Sequence, residues 1–192
     1  MGQLLEVRWH ARGGQGAKTA ALLLAEAAAK AGKYIQGFPE YGPERMGAPI
    51  LAFNRLSDEP IRVHSHVEEP DVVVVLDPTL IGSANITAGL RENGKVLVNT
   101  AKSPAEVKKR LKLTTQQVYT VDASKIALET LGKDIPNTPM MGALIRVSNA
   151  MDFNRFRDLM KDELEKKFRH KPEVIEGNMA AIERAYREVK GE

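Results

Sequence analysis

Cysteine is absent from the 192 residues, and that absence excludes more chemistry than any motif does. Without a thiol the chain can form no disulfide, offers no cysteine nucleophile and cannot hold an iron–sulfur cluster by thiolates. Any redox metal that it serves must therefore lie in another chain. Long apolar runs are missing as well: none approaches the roughly 18 residues of a membrane span, and Met1 to Glu6 has no signal-peptide character, so the cytoplasm is the expected location. Neither sign of charge dominates. With 28 Lys and Arg against 25 Asp and Glu, the net charge is only +3. That balance suggests no nucleic-acid partner, and the run Lys108, Lys109, Arg110, Lys112 reads as a solvated helix face. Also missing are the G-x-S-x-G elbow, H-E-x-x-H and any paired-carboxylate pattern, so no catalytic residue is expected here.

What is present is organised around Leu5 to Lys30. A short alternating run, Leu5, Val7 and Trp9, meets Gly13-Gly14-Gln15-Gly16 and then an alanine-rich helix, about Gln15 to Ala31, ended by Gly32. Glycines at such a corner let the backbone turn tightly and approach a ligand, while the first-turn N–H groups of the helix attract an anion. Two specific phosphate motifs fail. Around Lys18 and Thr19 a Walker A loop would need glycines where Arg12 and Ala17 stand. The dinucleotide fingerprint fits Ala11 to Gly16 only with Ala11 for its first glycine, and its acidic partner would be Glu40, in a turn after Phe38-Pro39. Two readings of the corner remain, a generic phosphate cradle and a plain strand-to-helix turn.

Downstream, Tyr34 to Gly37 reads as a short strand, followed by a loop dense in turn formers, Phe38 to Pro49, of the kind that carries function. Ile50 to Leu56 and Ile61 to His64 read as a hairpin across Ser57-Asp58-Glu59-Pro60. Asp71 to Leu76 and Lys95 to Asn99 have the apolar pattern of strands buried on both faces of a parallel sheet, with a helical stretch before Gly94. Ser103-Pro104-Ala105-Glu106 is a capping box opening a helix to about Leu113. Val118 to Val121 is a further strand, a helix runs from Asp122 to Gly132, and Thr138-Pro139 starts another through about Asn149. The alternation predicts a three-layer α/β/α domain with a mostly parallel Rossmann-like sheet, plus the β-hairpin and C-terminal helices. From Asp152 two charged amphipathic helices follow, with stripes Phe153, Phe156, Met160, Leu164, Phe168 and then Ile175, Met179, Ile182, Tyr186. The expected organisation is a ligand-binding domain over residues 1–151 and a helical appendage over residues 152–192 packed on it.

The four histidines are His10, His64, His66 and His170. His64 and His66 share a strand face but have no third ligand at convincing spacing, so no metal site is expected. His10, at the mouth of the first strand, reads as structural or solvent-facing rather than catalytic.

Three segments in this order resemble one family: Trp9-His10-Ala11-Arg12-Gly13-Gly14-Gln15-Gly16, the loop containing Gly42-Pro43-Glu44-Arg45-Met46-Gly47-Ala48-Pro49, and Asn137-Thr138-Pro139-Met140. With the Pro70 to Asp77 strand and Asn99-Thr100, the chain is similar over nearly its whole length to the gamma subunits of 2-oxoacid:ferredoxin oxidoreductases, most of all the pyruvate type. The resemblance implies a multi-subunit enzyme that turns pyruvate, coenzyme A and oxidised ferredoxin into acetyl-CoA, carbon dioxide and reduced ferredoxin, or runs the reverse synthesis. It places thiamine diphosphate and the catalytic centre in alpha and beta partner chains and iron–sulfur clusters in a delta chain, a division with which the lack of cysteine here agrees. It gives the gamma chain contact with coenzyme A and a cover over the active site.

On that basis Gly13, Gly14 and Gly16 are expected to offer backbone contacts, Gln15 an orienting amide, and Arg12 or Lys18 countercharge, with Thr19 beside them. Tyr41, Glu44 and Arg45 would face the ligand or neighbouring chains, and Asn137 and Thr138 complete the expected set. Two positions depart from the family pattern: Ala11 stands where glycine is usual, and Met46 where a second arginine is common, leaving Arg45 alone as the cation of that loop. The competing readings are a gamma subunit for another 2-oxoacid, a free-standing nucleotide-binding regulator using the same glycine loop, and a scaffold that binds nothing.

Overall fold

The structure, a computed structural model, describes residues 4–40 and 47–192. Among these, seven strands form one sheet in the order β2-β3-β1-β4-β5-β6-β7. Its centre is parallel: β1 (Leu5–Arg12), β4 (Val72–Val75), β5 (Lys95–Asn99) and β6 (Gln117–Val121) run the same way. β2 (Tyr34–Pro39) and β3 (Pro49–Ser57) add antiparallel strands on the β1 side, and the short β7 (Lys190–Gly191) closes the other edge against β6. The predicted α/β class with a parallel core is what the chain adopts.

Both faces of the central strands are apolar, and alternate residues serve different layers. Val7, Trp9, Ala11, Val72, Val74 and Leu97 face one layer, which holds α1 (Ala17–Lys30), α3 (Ala123–Leu131), α4 (Asn137–Ser148), α5 (Phe153–Lys167) and α6 (Pro172–Glu188). Val73, Val75, Val96, Val98 and Val118 face the other, where they meet Leu80, Ile81, Ile86 and Val107 of α2 (Pro104–Leu111). Small residues let α1 lie close on the sheet: Ala17, Ala20, Ala21, Ala27 and Ala28 are all fully buried. The C-terminal stripes join the same core, with Phe156, Met160, Leu164 and Ile182 buried and Phe153 stacked on Tyr186 at 3.7 Å between ring centroids.

Local signals fared well where the chain closes its own hydrogen bonds. The Ser103 capping box is formed in both directions, Asp122 caps α3, and Gly132 ends it in the left-handed region. Three expectations are corrected. Ile61 to His64 forms no strand, because β3 already pairs with β1 on one side and β2 on the other and has no free edge; the hairpin partner of β3 is β2. The stretch before Gly94 is not α-helical. It is a 3-10 turn, Pro78–Leu80, followed by turns in which Gly82 and Gly89 hold φ of 99° and 66° and so interrupt helical backbone. Finally, α4 opens at Asn137, earlier than Thr138-Pro139 suggests, and β7 has no sequence signal that a two-residue strand could carry.

Alternation in β1 buries charge as well. While Val7, Trp9 and Ala11 face the helices, Glu6, Arg8 and His10 point to the opposite face and are also buried. Glu6 accepts from Arg55 Nε at 2.7 Å, and Arg55 donates onward to Gln36, Ser65 O and His66 O. The irregular segment that follows β3 is thereby held on the sheet through a buried guanidinium rather than by strand pairing.

Candidate functional site

β1 and β4 lie side by side, and the chain leaves their carboxyl ends toward opposite faces. β1 runs through Arg12 to Gly16 into α1 on the helix-rich face, whereas β4 runs through Asp77 into the turn at Pro78–Leu80 on the other. Diverging connections of this kind open a crevice at the sheet's carboxyl edge, where ligands settle in open α/β folds.

The glycine corner forms one wall of this crevice. Gln15 N–H returns to Arg12 O at 3.1 Å, and Gly14 and Gly16 take φ of 98° and 82°. Gly16 is the N-cap of α1, and among the described residues no side chain caps that helix start. Gly14 is exposed, and among the described residues nothing lies within 4 Å of where its side chain would project. Lys18 is exposed and Thr19 half-buried on the first turn of α1. Gly13 faces inward instead: its N–H donates to Ala48 O at 2.8 Å and its O accepts from Gly47 N–H at 3.2 Å.

Arg12 and Gln15 are tied to the end of β4. Arg12 donates from Nε and Nη2 to Thr79 Oγ1 at 3.2 and 3.0 Å, from Nη1 to Gly47 O at 3.2 Å, and its Nε lies 3.4 Å from Asp77 Oδ2. Gln15 Nε2 donates to the same Asp77 oxygen at 2.8 Å, while its Oε1 accepts the Arg12 N–H at 2.7 Å. Burial by itself would raise the Asp77 carboxyl. Hydrogen bonds from the Thr79 side chain and backbone and from Gln15, with the Arg12 charge, outweigh it and hold the group below the ordinary range.

Asn137 and Thr138 sit behind the corner, both buried. Asn137 Oδ1 accepts from Thr138 N–H at 2.8 Å, and its Nδ2 lies 3.4 Å from Gly16 O, so α4 begins directly against the glycine turn. The structure thus brings Arg12, Gly13, Gly14, Gln15, Gly16, Lys18, Thr19, Asn137 and Thr138 to one place. Tyr41, Glu44, Arg45 and the departing Met46 lie outside the described residues.

His10 is buried behind the corner and its Nε2 accepts from Arg8 Nε at 3.1 Å. Burial first, and then the Arg8 charge, lower its pKa to about 3, so the ring is neutral and packed in the sheet rather than presented to a ligand. His64 is exposed, and His66 packs edge-on against Phe53 with centroids 5.6 Å apart.

One element of the site escaped sequence reasoning. Beyond Thr79 an open cleft of about 770 Å³ runs between the ends of β4 and β5 and α2, lined among others by Thr79, Thr100, Lys102, Lys109 and Arg110. Part of the basic run read as a solvated face therefore borders a recess. The signal was the pairing of β4 with β5, which no local pattern announces.

A family model described as pyruvate ferredoxin/flavodoxin oxidoreductase matches residues 6–188. The chain is 51% identical over 185 residues to the pyruvate synthase subunit PorC of Thermotoga maritima, covering 96% of this chain and 94% of that one. It is 46% identical over 183 residues to the common gamma subunit of the pyruvate/ketoisovalerate oxidoreductases of Pyrococcus furiosus, covering 95% and 96%. The crystal structure of the Thermotoga maritima pyruvate oxidoreductase subunit superposes with a TM-score of 0.86 at 48% identity, over 98% of each chain. A 2-oxoglutarate:ferredoxin oxidoreductase from Magnetococcus marinus, solved with 2-oxoglutarate, coenzyme A and succinyl-CoA bound, shares the fold at a TM-score of 0.76 and 19% identity, over 96% of this chain and 31% of that one. The chain belongs to the pyruvate ferredoxin/flavodoxin oxidoreductase family, with gamma subunits of pyruvate-oxidising enzymes as its near relatives.

Proposed function

We propose that this chain is the gamma subunit of a cytoplasmic, multi-subunit pyruvate:ferredoxin oxidoreductase and that its glycine corner contacts coenzyme A. The observation that carries the ligand assignment is the α1 start at the β1/β4 crevice, where among the described residues no side chain caps Gly16 and nothing crowds Gly14. An anionic phosphate suits that position, because backbone N–H groups and the helix dipole both favour negative charge there. The relative solved with coenzyme A bound makes the same ligand class reasonable for this fold.

In this reading Gly14 and Gly16 shape the cradle and Lys18 and Thr19 face the phosphates. Arg12 acts mainly by holding the corner, since its guanidinium contacts Thr79, Gly47 and Asp77. Lys102, Lys109 and Arg110 add positive charge along the adjoining cleft. Gly47 and Ala48 are bonded to Gly13, and Tyr41, Glu44 and Arg45, shortly before them in sequence, would meet the ligand or a neighbouring chain. Residues 1–151 serve as the ligand-binding domain and residues 152–192 as a helical appendage upon it. Decarboxylation and electron transfer belong to alpha, beta and delta partners that hold thiamine diphosphate and iron–sulfur clusters. This chain's part is to bind coenzyme A and cover the active site, and no group in it takes part in bond making.

Capture of the chain from its native extract should bring down the partner subunits with coenzyme A-dependent, pyruvate-driven reduction of ferredoxin. In the purified complex Lys18→Ala should raise the KM for coenzyme A severalfold while that for pyruvate stays within twofold. A chain that elutes alone and binds a nucleotide, or a complex whose coenzyme A dependence ignores Lys18→Ala, would remove the assignment.

A further inference from the structure

We propose that Asp77 is the positioning residue of the coenzyme A site, acting through the Gln15 amide; the inference rests on the glycine-corner reading above. Asp77 stands at the end of β4 with its side chain 10% exposed, and its two oxygens do different work. Oδ1 accepts from Thr79 N–H at 2.8 Å and from Thr79 Oγ1–H at 2.6 Å, which fixes the carboxylate on its own turn. Oδ2 faces the glycine corner, accepting from Gln15 Nε2 at 2.8 Å with Arg12 Nε at 3.4 Å.

A carboxylate only accepts, so it dictates which end of the Gln15 amide it meets. With the NH2 group on Asp77, the carbonyl oxygen must turn to the Arg12 N–H, where it lies at 2.7 Å. That bond closes the corner from β1 to the residue before Gly16. Reversing the amide would set an NH2 group against an N–H and an oxygen against a carboxylate. The charge on Asp77 thus sets the polarity of a bridge between two elements 62 residues apart in the chain. The same oxygen lies beside the Arg12 guanidinium, which donates to the neighbouring Thr79 hydroxyl. Gly14 and the start of α1 are then presented in one arrangement, ready for an anion and without reorganisation on binding.

Reversing the polarity tests this directly in the assembled enzyme. Asp77→Asn keeps an acceptor for Thr79 but turns a donor on the Gln15 NH2. Gln15→Glu sets a second carboxylate against Asp77. Each single change removes a charge-assisted hydrogen bond and should raise the KM for coenzyme A roughly tenfold, with the KM for pyruvate unmoved. The double variant restores the pattern, because the carboxylate introduced at 15 accepts from both the Arg12 N–H and the amide introduced at 77. Its KM for coenzyme A should return to within about threefold of wild type, corresponding to ~0.6 kcal/mol. A residue that merely stabilised the fold would move the melting temperature without this exchange in KM.

Singles that leave the KM for coenzyme A unchanged while Lys18→Ala raises it would overturn the role of Asp77 and spare the binding site. Indifference of all three variants would overturn both. Additive losses in the double variant would refute the bridge. Should a single variant fail to assemble, recovery of assembly and coenzyme A affinity in the double supports the bridge, and its continued failure counts against it.

Discussion

The glycine corner makes a prediction that separates backbone strain from side-chain collision. Gly14 and Gly16 both hold positive φ, at 98° and 82°, so an alanine at either must adopt backbone that costs an L-residue about 1–2 kcal/mol. Their surroundings differ. A Cβ at Gly14 would meet nothing within 4 Å, whereas one at Gly16 would lie 2.6 Å from Asn137 Nδ2 and 2.9 Å from Asn137 Cγ. Asn137 is buried and its Oδ1 holds the Thr138 N–H at the start of α4, so it cannot swing away without releasing that bond. A lost bond of this kind costs about 1 kcal/mol, and a displaced buried amide adds a desolvation penalty of ~1–3 kcal/mol. Gly14→Ala should therefore destabilise by about 1–2 kcal/mol and Gly16→Ala by about 3–6 kcal/mol. Urea unfolding of the chain followed by circular dichroism gives both values. Placing Gly16→Ala in an Asn137→Gly background removes every Asn137 atom that the added Cβ would meet, Cβ at 3.1 Å included, and there its cost should fall to that of Gly14→Ala. Equal costs for the two glycines in the wild-type background, or an Asn137→Gly background that changes nothing, would refute the argument that α4 is seated against the corner.

Two further outcomes follow from the buried charges of β1. Glu6→Ala strands the Arg55 guanidinium, which is 1% exposed and bonded to Glu6 Oε1 at 2.7 Å, and should cost about 3–5 kcal/mol by urea unfolding, with Glu6→Gln markedly milder. The pH dependence of stability should carry the signature of His10. Unfolded, the ring takes up a proton below about pH 6.5, but in the fold its pKa is about 3. The stability it contributes is thus fully present above pH 6.5 and falls as pH drops toward 3, by up to about 1.4 kcal/mol per unit. His10→Gln retains an acceptor for Arg8 and should flatten that slope between pH 6.5 and 4; an unchanged slope would show that His10 is not the titrating group.

The features legible in the amino-acid string are those decided within a few residues. The Ser103 capping box, the Asp122 cap and the left-handed Gly132 are short-range hydrogen-bond solutions, and each is read from the types at fixed offsets. The all-valine run Val72 to Val75 reads as a central strand because both of its faces are apolar. Ile61 to His64 misled for the complementary reason. Its local pattern favours a strand, yet a strand needs an open edge, and β3 had none. The stretch before Gly94 likewise contains enough apolar residues for a helix, but its glycines serve turns that lay Leu80, Ile81 and Ile86 onto the sheet.

At the site the division is sharper. Sequence alone determined the chemistry available: no thiolate, hence no metal cluster held by thiolates, and a glycine corner opening a helix, open to reading as a phosphate cradle or as a plain turn. Both follow from residue type and local backbone. Only the tertiary structure decided how that corner is held. The same Arg12 can meet a phosphate or an internal carboxylate, and nothing near it in the chain distinguishes the two. Asp77 arrives because β1 and β4 pair in parallel, and its carboxylate meets the Gln15 amide and the Arg12 guanidinium at the corner. Electrostatic and hydrogen-bond partners are chosen by distance in space, and strand pairing, rather than sequence spacing, sets that distance.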